Sequence, residues 1–278
     1  MRRWALFVLL AGCHRPAPPA PGRDVADGRG KPVRVPERPQ RIVSLVPSLT
    51  ELLFRVGAGD QVAGVTTSCD YPPEAAAKPK VGGVVVNMEA ILSLRPDLVL
   101  TCARMTRQTT ADLEARGLPV FSIDPGSFDE IARTLRLLGE LTGRKEGGDR
   151  AADEFLSRAA AVRPGPAPSF YFEHSADPLG TTGPESYVGE ALRRAGGRNV
   201  FDGGWRFVHW ESVLARDPEV ILIAHDARAG IERRAGWKDL KAVRTGRVHF
   251  VDKSNYVYPT PRLLAGLEEA ARLFHAPH

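Results

Sequence analysis

Apolar residues along this chain fall into short runs, and the stretches between the runs carry apolar positions at helical spacing. Arg41-Ile-Val-Ser-Leu-Val46 predicts a first buried strand and Gln61-Val-Ala-Gly-Val65 a second. Between them, Ser48-Leu-Thr-Glu51 reads as a capping box opening a helix that closes at Gly57. A helix opening at Glu89, a strand over 97–100, a helix over 106–116 and a strand over 120–123 follow. From Phe128 to Arg163 the pattern is almost wholly helical. Ile131, Leu135, Leu138 and Leu141 mark one face, and Ala152, Phe155, Leu156 and Ala159 the next, with Gly147-Gly148 read as a break. One long helix here would join two lobes as a rigid strut. Beyond Pro164-Gly-Pro-Ala-Pro168 the pattern predicts strands over 169–172, 220–224 and 248–251. Helices are expected over 187–195, from Glu211, over 237–243 and over 261–274. Alternating helices and short apolar strands mean an α/β fold with short, mostly parallel sheets.

One pattern occurs twice. Glu89-Ala-Ile-Leu-Ser-Leu-Arg-Pro-Asp-Leu-Val-Leu100 and Glu211-Ser-Val-Leu-Ala-Arg-Asp-Pro-Glu-Val-Ile-Leu222 both open a short helix on Glu, stop it at Pro and pass into an apolar strand. Glu51-Leu-Leu-Phe-Arg-Val-Gly57 likewise resembles Glu190-Ala-Leu-Arg-Arg-Ala-Gly196. The chain therefore reads as two similar lobes, and a cleft between lobes is a common place for a small ligand.

At 278 residues the chain has room for two such lobes. The formal net charge of +5 comes from scattered arginine rather than a dense basic run with interleaved aromatics, so nucleic acid is not an expected partner. Met1-Arg2-Arg3 followed by apolar Trp4 to Leu10 reads as a targeting segment too short to span a bilayer. Leu10-Ala11-Gly12-Cys13 resembles a bacterial lipobox, which makes residues 1–12 a signal peptide and Cys13 the lipidated N-terminus of an exported, envelope-anchored protein. Residues 13–39, rich in Pro, Gly and charge, read as a tether in which 33–35 adds a short edge strand. Lobes are expected over 40–127 and 166–278, with a helical region over 128–165 between them. Cys69 and Cys102 read first as buried small residues, then as a disulfide, then as ligand contacts.

Asp70-Tyr-Pro-Pro73, Val81-Gly-Gly83, Asn87-Met-Glu89, Arg95-Pro-Asp-Leu-Val99, Trp210-Glu211, Ala215-Arg-Asp-Pro218 and Pro261-Arg-Leu263 carry a family resemblance. They resemble the cobalamin, siderophore and haem class of substrate-binding proteins that feed ABC importers, and within it the cobalamin-binding members most. The resemblance covers nearly all of the chain after Pro39. It implies two α/β lobes on a backbone helix, with a metal chelate in the cleft and no resident cofactor or protein-held metal. The partners it implies are a membrane permease and its cytoplasmic ATPase. Glu89 and Glu211 fall where that class docks onto permease arginines; a role limited to the helix dipole would be worth about 0.5 kcal/mol each.

For the ligand, the resemblance puts Trp205 at a corrin-stacking position and Ser68, Tyr71, His174, Tyr256 and Tyr258 around it. Ser68, Val84 and Cys102 stand where aromatics are expected, which keeps haem or an iron–siderophore open beside a corrinoid. His174, a cysteine thiolate or a Tyr has the chemistry to ligate a chelated metal, although a lone loop His is more often structural. The rival class is a tethered enzyme on an α/β scaffold. Against it, the chain has no Gly-x-Ser-x-Gly elbow, phosphate loop, paired-His zinc helix or dinucleotide fingerprint.

Overall fold

A computed structural model describes residues 21–102, 107–165, 167–227 and 230–276. The signal segment, Cys13 and residues up to 20 lie outside the described residues. The stretch expected to be a tether is folded where it is described. β1 (Gly22–Ala26) and β2 (Pro32–Pro36) form an antiparallel hairpin with Val33 and Val35 buried and Arg34 exposed. The hairpin is sewn to the first lobe at Asp27. Its carboxylate accepts from the Arg29, Lys31 and Ser122 amides, while Gly28 N–H donates to Ser122 O at 2.7 Å. Burial alone would raise the Asp27 carboxyl, but these donors and the Arg29 side chain outweigh it and hold it below the usual range.

The first lobe runs β3 (Ile42–Ser44), α1 (Pro47–Arg55), β4 (Val62–Val65), α2 (Pro73–Ala76), α3 (Met88–Ser93), β5 (Leu98–Thr101), α4 (Arg107–Glu114) and β6 (Val120–Ser122). The helices α5 (Phe128–Leu141) and α6 (Lys145–Ala161) follow. The second lobe holds β7 (Ser169–Glu173), β8 (Ser175–Ala176), β9 (Leu179–Thr182), α7 (Tyr187–Arg194), β10 (Arg198–Asn199), β11 (Trp205–Phe207) and α8 (Trp210–Leu214). It closes with β12 (Val220–Ile223), α9 (Lys241–Arg244), β13 (Val248–Phe250) and α10 (Leu263–His275).

The two main sheets have matching topology. Their orders are β4-β3-β5-β6 and β10-β7-β12-β13, so in each the second strand flanks the first and the third and fourth follow on the other side. All of these pairings are parallel. Both faces of each sheet are covered, as continuous apolar strands require. Ile42, Leu98, Leu100, Phe170, Phe172 and Leu222 point into one apolar cluster shared by both lobes and by α5, α6 and α10. Alternate residues serve clusters private to each lobe: Val43 and Val99 in the first, Tyr171, Ile221 and Ile223 in the second.

The helical region differs from the expected single strut. α5 and α6 are separate helices packed side by side, and the chain breaks at Thr142-Gly143-Arg144, where Gly143 takes φ +69°. Gly147 and Gly148 lie inside α6 and permit close approach instead of a break. A Cβ on Gly148 would stand 2.7 Å from Leu135 O, and one on Gly147 would stand 2.2 Å from Val56 O. α6, about 25 Å long at 1.5 Å per residue, is the element that carries the chain from the first lobe to the second.

The capping box is also corrected. Val46 is the N-cap of α1 and makes no side-chain cap, Pro47 sits in the first turn and Ser48 is buried. Glu51 is thereby left for another partner.

Candidate functional site

The Asp-Tyr-Pro-Pro loop leaves the carboxyl end of β4, where ligands of open parallel sheets are generally found. Ser68 and Tyr71 are exposed on this loop, Tyr71 by 45%. Cys69 is buried beneath it, with Thr50 Oγ1 donating to its Sγ at 3.2 Å and Thr66 Oγ1 at hydrogen-bond distance, 3.1 Å. Cys69 and Cys102 are both buried and not joined by a disulfide, which agrees with the first of the sequence readings. The adjoining loop presents Val84 and Val85 almost fully to solvent and is tied to the first by Thr67 N–H donating to Gly82 O.

The second lobe carries an aromatic surface. β8, β9 and β11 form an antiparallel sheet at the carboxyl end of β7; Trp205 lies in β11, and His174 in the bend between β7 and β8. Trp205 is 39% exposed. The His174 ring meets it edge-on at 4.9 Å between centroids, and Tyr187 packs against it at 5.7 Å. The His174 ring lies directly over Gly180, where a Cβ would come within 2.4 Å of it. Burial, with a smaller push from His225, lowers the His174 pKa and favours the neutral ring. Its Nε2 is buried without a hydrogen-bond partner. Behind this wall, the fully buried Glu173 carboxylate accepts two hydrogen bonds from Arg234, at 2.7 and 2.8 Å, and faces His225 Nε2 at 2.8 Å.

Arg262 bridges the Tyr71 loop and the loop that carries Tyr258. Its guanidinium lies 4.5 Å from the Tyr71 ring centroid and 5.6 Å from that of Tyr258. Tyr258 is half-buried. Burial first, then the Asp70 charge, raise its phenol pKa against the opposing pull of Arg262. Tyr187 Oη donates to Val257 O at 2.8 Å, linking this loop back to Trp205. The structure thus connects Trp205, His174, Tyr258 and Tyr71, with Ser68 on the same loop as Tyr71.

Tyr256 is a correction. It is fully buried, packs on Phe172 and donates to Gly266 O at 2.9 Å, so it belongs to the core and offers nothing to a ligand. Tyr187 and Arg262 were missed as site residues. Arg262 had a signal in Pro261-Arg-Leu263, whereas Tyr187 had none beyond its helix start.

A cavity of about 830 Å³ adjoins Tyr71 and Arg262 but does not reach the Trp205 wall. It follows α6 between α1 and α10, is lined by Phe54, Glu154 and Arg158 among others, and shares only Tyr71 with the expected ligand residues. Among the described residues no group of three or more His, Cys, Asp or Glu is arranged to hold a metal ion.

Glu89 and Glu211 are both exposed in the first turns of α3 and α8. The repeat extends to the backbone. Arg95 and Asp217, each just before the proline, take φ of 46° and 40°, a conformation few non-glycine residues adopt.

Residues 42–254 match the family described as periplasmic binding protein. The "Uncharacterized ABC transporter substrate-binding lipoprotein YvrC" of Bacillus subtilis (strain 168) is 31% identical over 290 residues, covering 95% of this chain and 92% of that protein. The periplasmic vitamin B12 binding protein BtuF of Vibrio cholerae superposes with a TM-score of 0.72 at 27% identity, covering 84% and 96% of the two chains. The periplasmic heme-binding protein RhuT from Roseiflexus sp. RS-1 does so at 0.75 and 28%, covering 85% and 98%. These relatives are binding proteins rather than enzymes. With the matched family spanning both lobes, the chain belongs to the periplasmic binding protein family and is built as the substrate-binding component of an ABC importer.

Proposed function

We propose that this protein captures a cobalamin or related corrinoid between the Trp205 wall and the Tyr71 loop and delivers it to its permease. The observation that carries the reading is Trp205, a large ring left 39% exposed and held in place by His174 and Tyr187. The face of a macrocycle is the kind of ligand surface such a ring packs against. The vitamin B12-binding relatives support this choice. Haem or an iron–siderophore is the second reading, favoured by Ser68 and Val84, small where the resemblance expects rings, and by the heme-binding neighbour. Fluorescence titration with cyanocobalamin, hemin and a ferric hydroxamate separates the readings. Trp205→Ala is expected to weaken the preferred ligand by about 1–3 kcal/mol, roughly fivefold to over a hundredfold in Kd. Unchanged affinity would place Trp205 outside the site.

Capture at the membrane surface needs an anchor. The reading includes lipidation at Cys13, supported by Leu10-Ala11-Gly12 ahead of it. Mass spectrometry of the native N-terminus should find a diacylated Cys13, and an unmodified one in a soluble, cleaved product would refute the anchor.

A further inference from the structure

Glu51 and Glu190 occupy the same place in the two halves. Each lies on a helix that connects the first and second strands of its sheet, and these helices close at Gly57 (φ +86°) and Gly196 (φ +95°). Each side chain leaves its own half of the fold. Glu51 Oε2 accepts from Arg262 Nε at 2.8 Å, and Arg262 is the N-cap of α10. Glu190 Oε2 accepts from the Phe128 amide at 2.9 Å, and Phe128 is the first residue of α5. α5 and α10 are themselves equivalent, since each follows the fourth strand of its sheet, β6 or β13. The first connecting helix of each half therefore holds the start of the other half's last helix.

The two contacts share further construction. Both carboxylates are largely withdrawn from water, with side chains 6% and 16% exposed. An arginine lying on aromatic rings backs each one: Arg262 on Tyr71 and Tyr258, and Arg194 on Phe128 at 4.9 Å while it also binds Glu190 Oε1. Each leads to a cleft ring. Arg262 touches Tyr71 directly, and Tyr187, three residues before Glu190 on α7, packs against Trp205.

We propose that Glu51 and Glu190 are a matched pair of inter-lobe clasps, positioning residues that set the separation of the Tyr71 and Trp205 walls and so the affinity for a ligand held between them. The affinity part rests on the cleft reading above; the clasp itself does not. If the clasps hold the binding-competent spacing, removing both lowers the fraction of molecules poised to bind, and apparent affinity falls by the same factor.

The test uses the full-length protein with Glu51→Ala, Glu190→Ala, the double variant and Glu190→Gln. Hydrogen–deuterium exchange should speed up at the first turns of α5 and α10 in the double variant, while β5 and β12 keep the parent rate. Cyanocobalamin affinity should fall on the order of tenfold. Glu190→Gln should stay near the parent, because an amide oxygen still accepts from the Phe128 N–H. Exchange that accelerates equally in β5 and β12 would mean ordinary destabilisation and overturn the proposal. Loosened helices with unchanged affinity would overturn it too. Should the double variant fail to fold, Glu190→Ala against Glu190→Gln decides, since equal exchange at α5 in those two refutes the clasp. A parent that ignores cyanocobalamin removes the corrinoid reading and leaves the exchange result to decide the clasps.

Discussion

Glu173→Ala should cost about 3–5 kcal/mol of folding stability. Glu173 is fully buried and is the shared acceptor for Arg234 and His225. Deleting the carboxylate leaves the Arg234 guanidinium, whose side chain is only 16% exposed, without its counter-charge. Arg234 also lies over the Trp210 ring at 5.1 Å, so it cannot swing to solvent without abandoning that contact. The Tyr171 hydroxyl is buried in the field of the same carboxylate; burial first and that charge second push its phenol upward. It offers no substitute acceptor charge for Arg234. Glu173→Gln keeps the shape and an acceptor and should cost less, about 1.5–3 kcal/mol. Urea denaturation measures both. A loss below about 1 kcal/mol for Glu173→Ala would mean that Arg234 finds other partners and that the cluster is not a cornerstone of the second lobe. His174 follows Glu173 in the chain and holds Trp205, so partial unfolding here should reach ligand binding first.

Strand positions were legible because β3, β5, β7 and β12 are buried on both faces and therefore read as unbroken apolar runs. The doubled Glu-to-Pro pattern revealed the repeat, and matching strand orders together with matching φ at Arg95 and Asp217 carry it into the backbone. Composition misled at the start of the chain. Proline and glycine suggest a tether, but alternation places Val33 and Val35 on the buried side of a hairpin whose Asp27 is locked to Ser122. Glycine misled again at Gly147-Gly148, where the missing side chains let α6 touch α5 and the end of α1. Within the cleft, periodicity could not separate Tyr256 from Tyr258. They lie two residues apart in an irregular loop, and only the packing of Phe172 and α10 decides which is core. The inter-lobe contacts were beyond reach for a related reason. Glu51 is 211 residues from Arg262, and its sequence context offered a local cap as a simpler use.

Reversing both exposed charges, Glu89→Lys with Glu211→Lys, is expected to slow docking onto the permease strongly while leaving ligand capture intact. Both carboxylates are exposed, at equivalent positions in the first turns of α3 and α8. The strained residues Arg95 and Asp217 end both helices in the same way, so the two surfaces are presented alike. If the two glutamates face arginines on a permease, as the family resemblance implies, they fix orientation as well as attraction, and such charges act mainly on association rate and salt dependence. Single Glu→Ala changes should therefore slow association modestly, and the double alanine variant should do worse than either. The double lysine variant should be worst, because like charges then meet, with association slowed at least about tenfold at low ionic strength. Raising the salt should narrow the gap between parent and variants as screening shortens the reach of the charges. The measurement is binding to the importer in nanodiscs at two ionic strengths, alongside titration of the free protein with cyanocobalamin. Lost cyanocobalamin affinity with docking preserved would move these glutamates from the rim into the ligand site. Docking unchanged in the double lysine variant would leave them as helix-end charges worth only about 0.5 kcal/mol each.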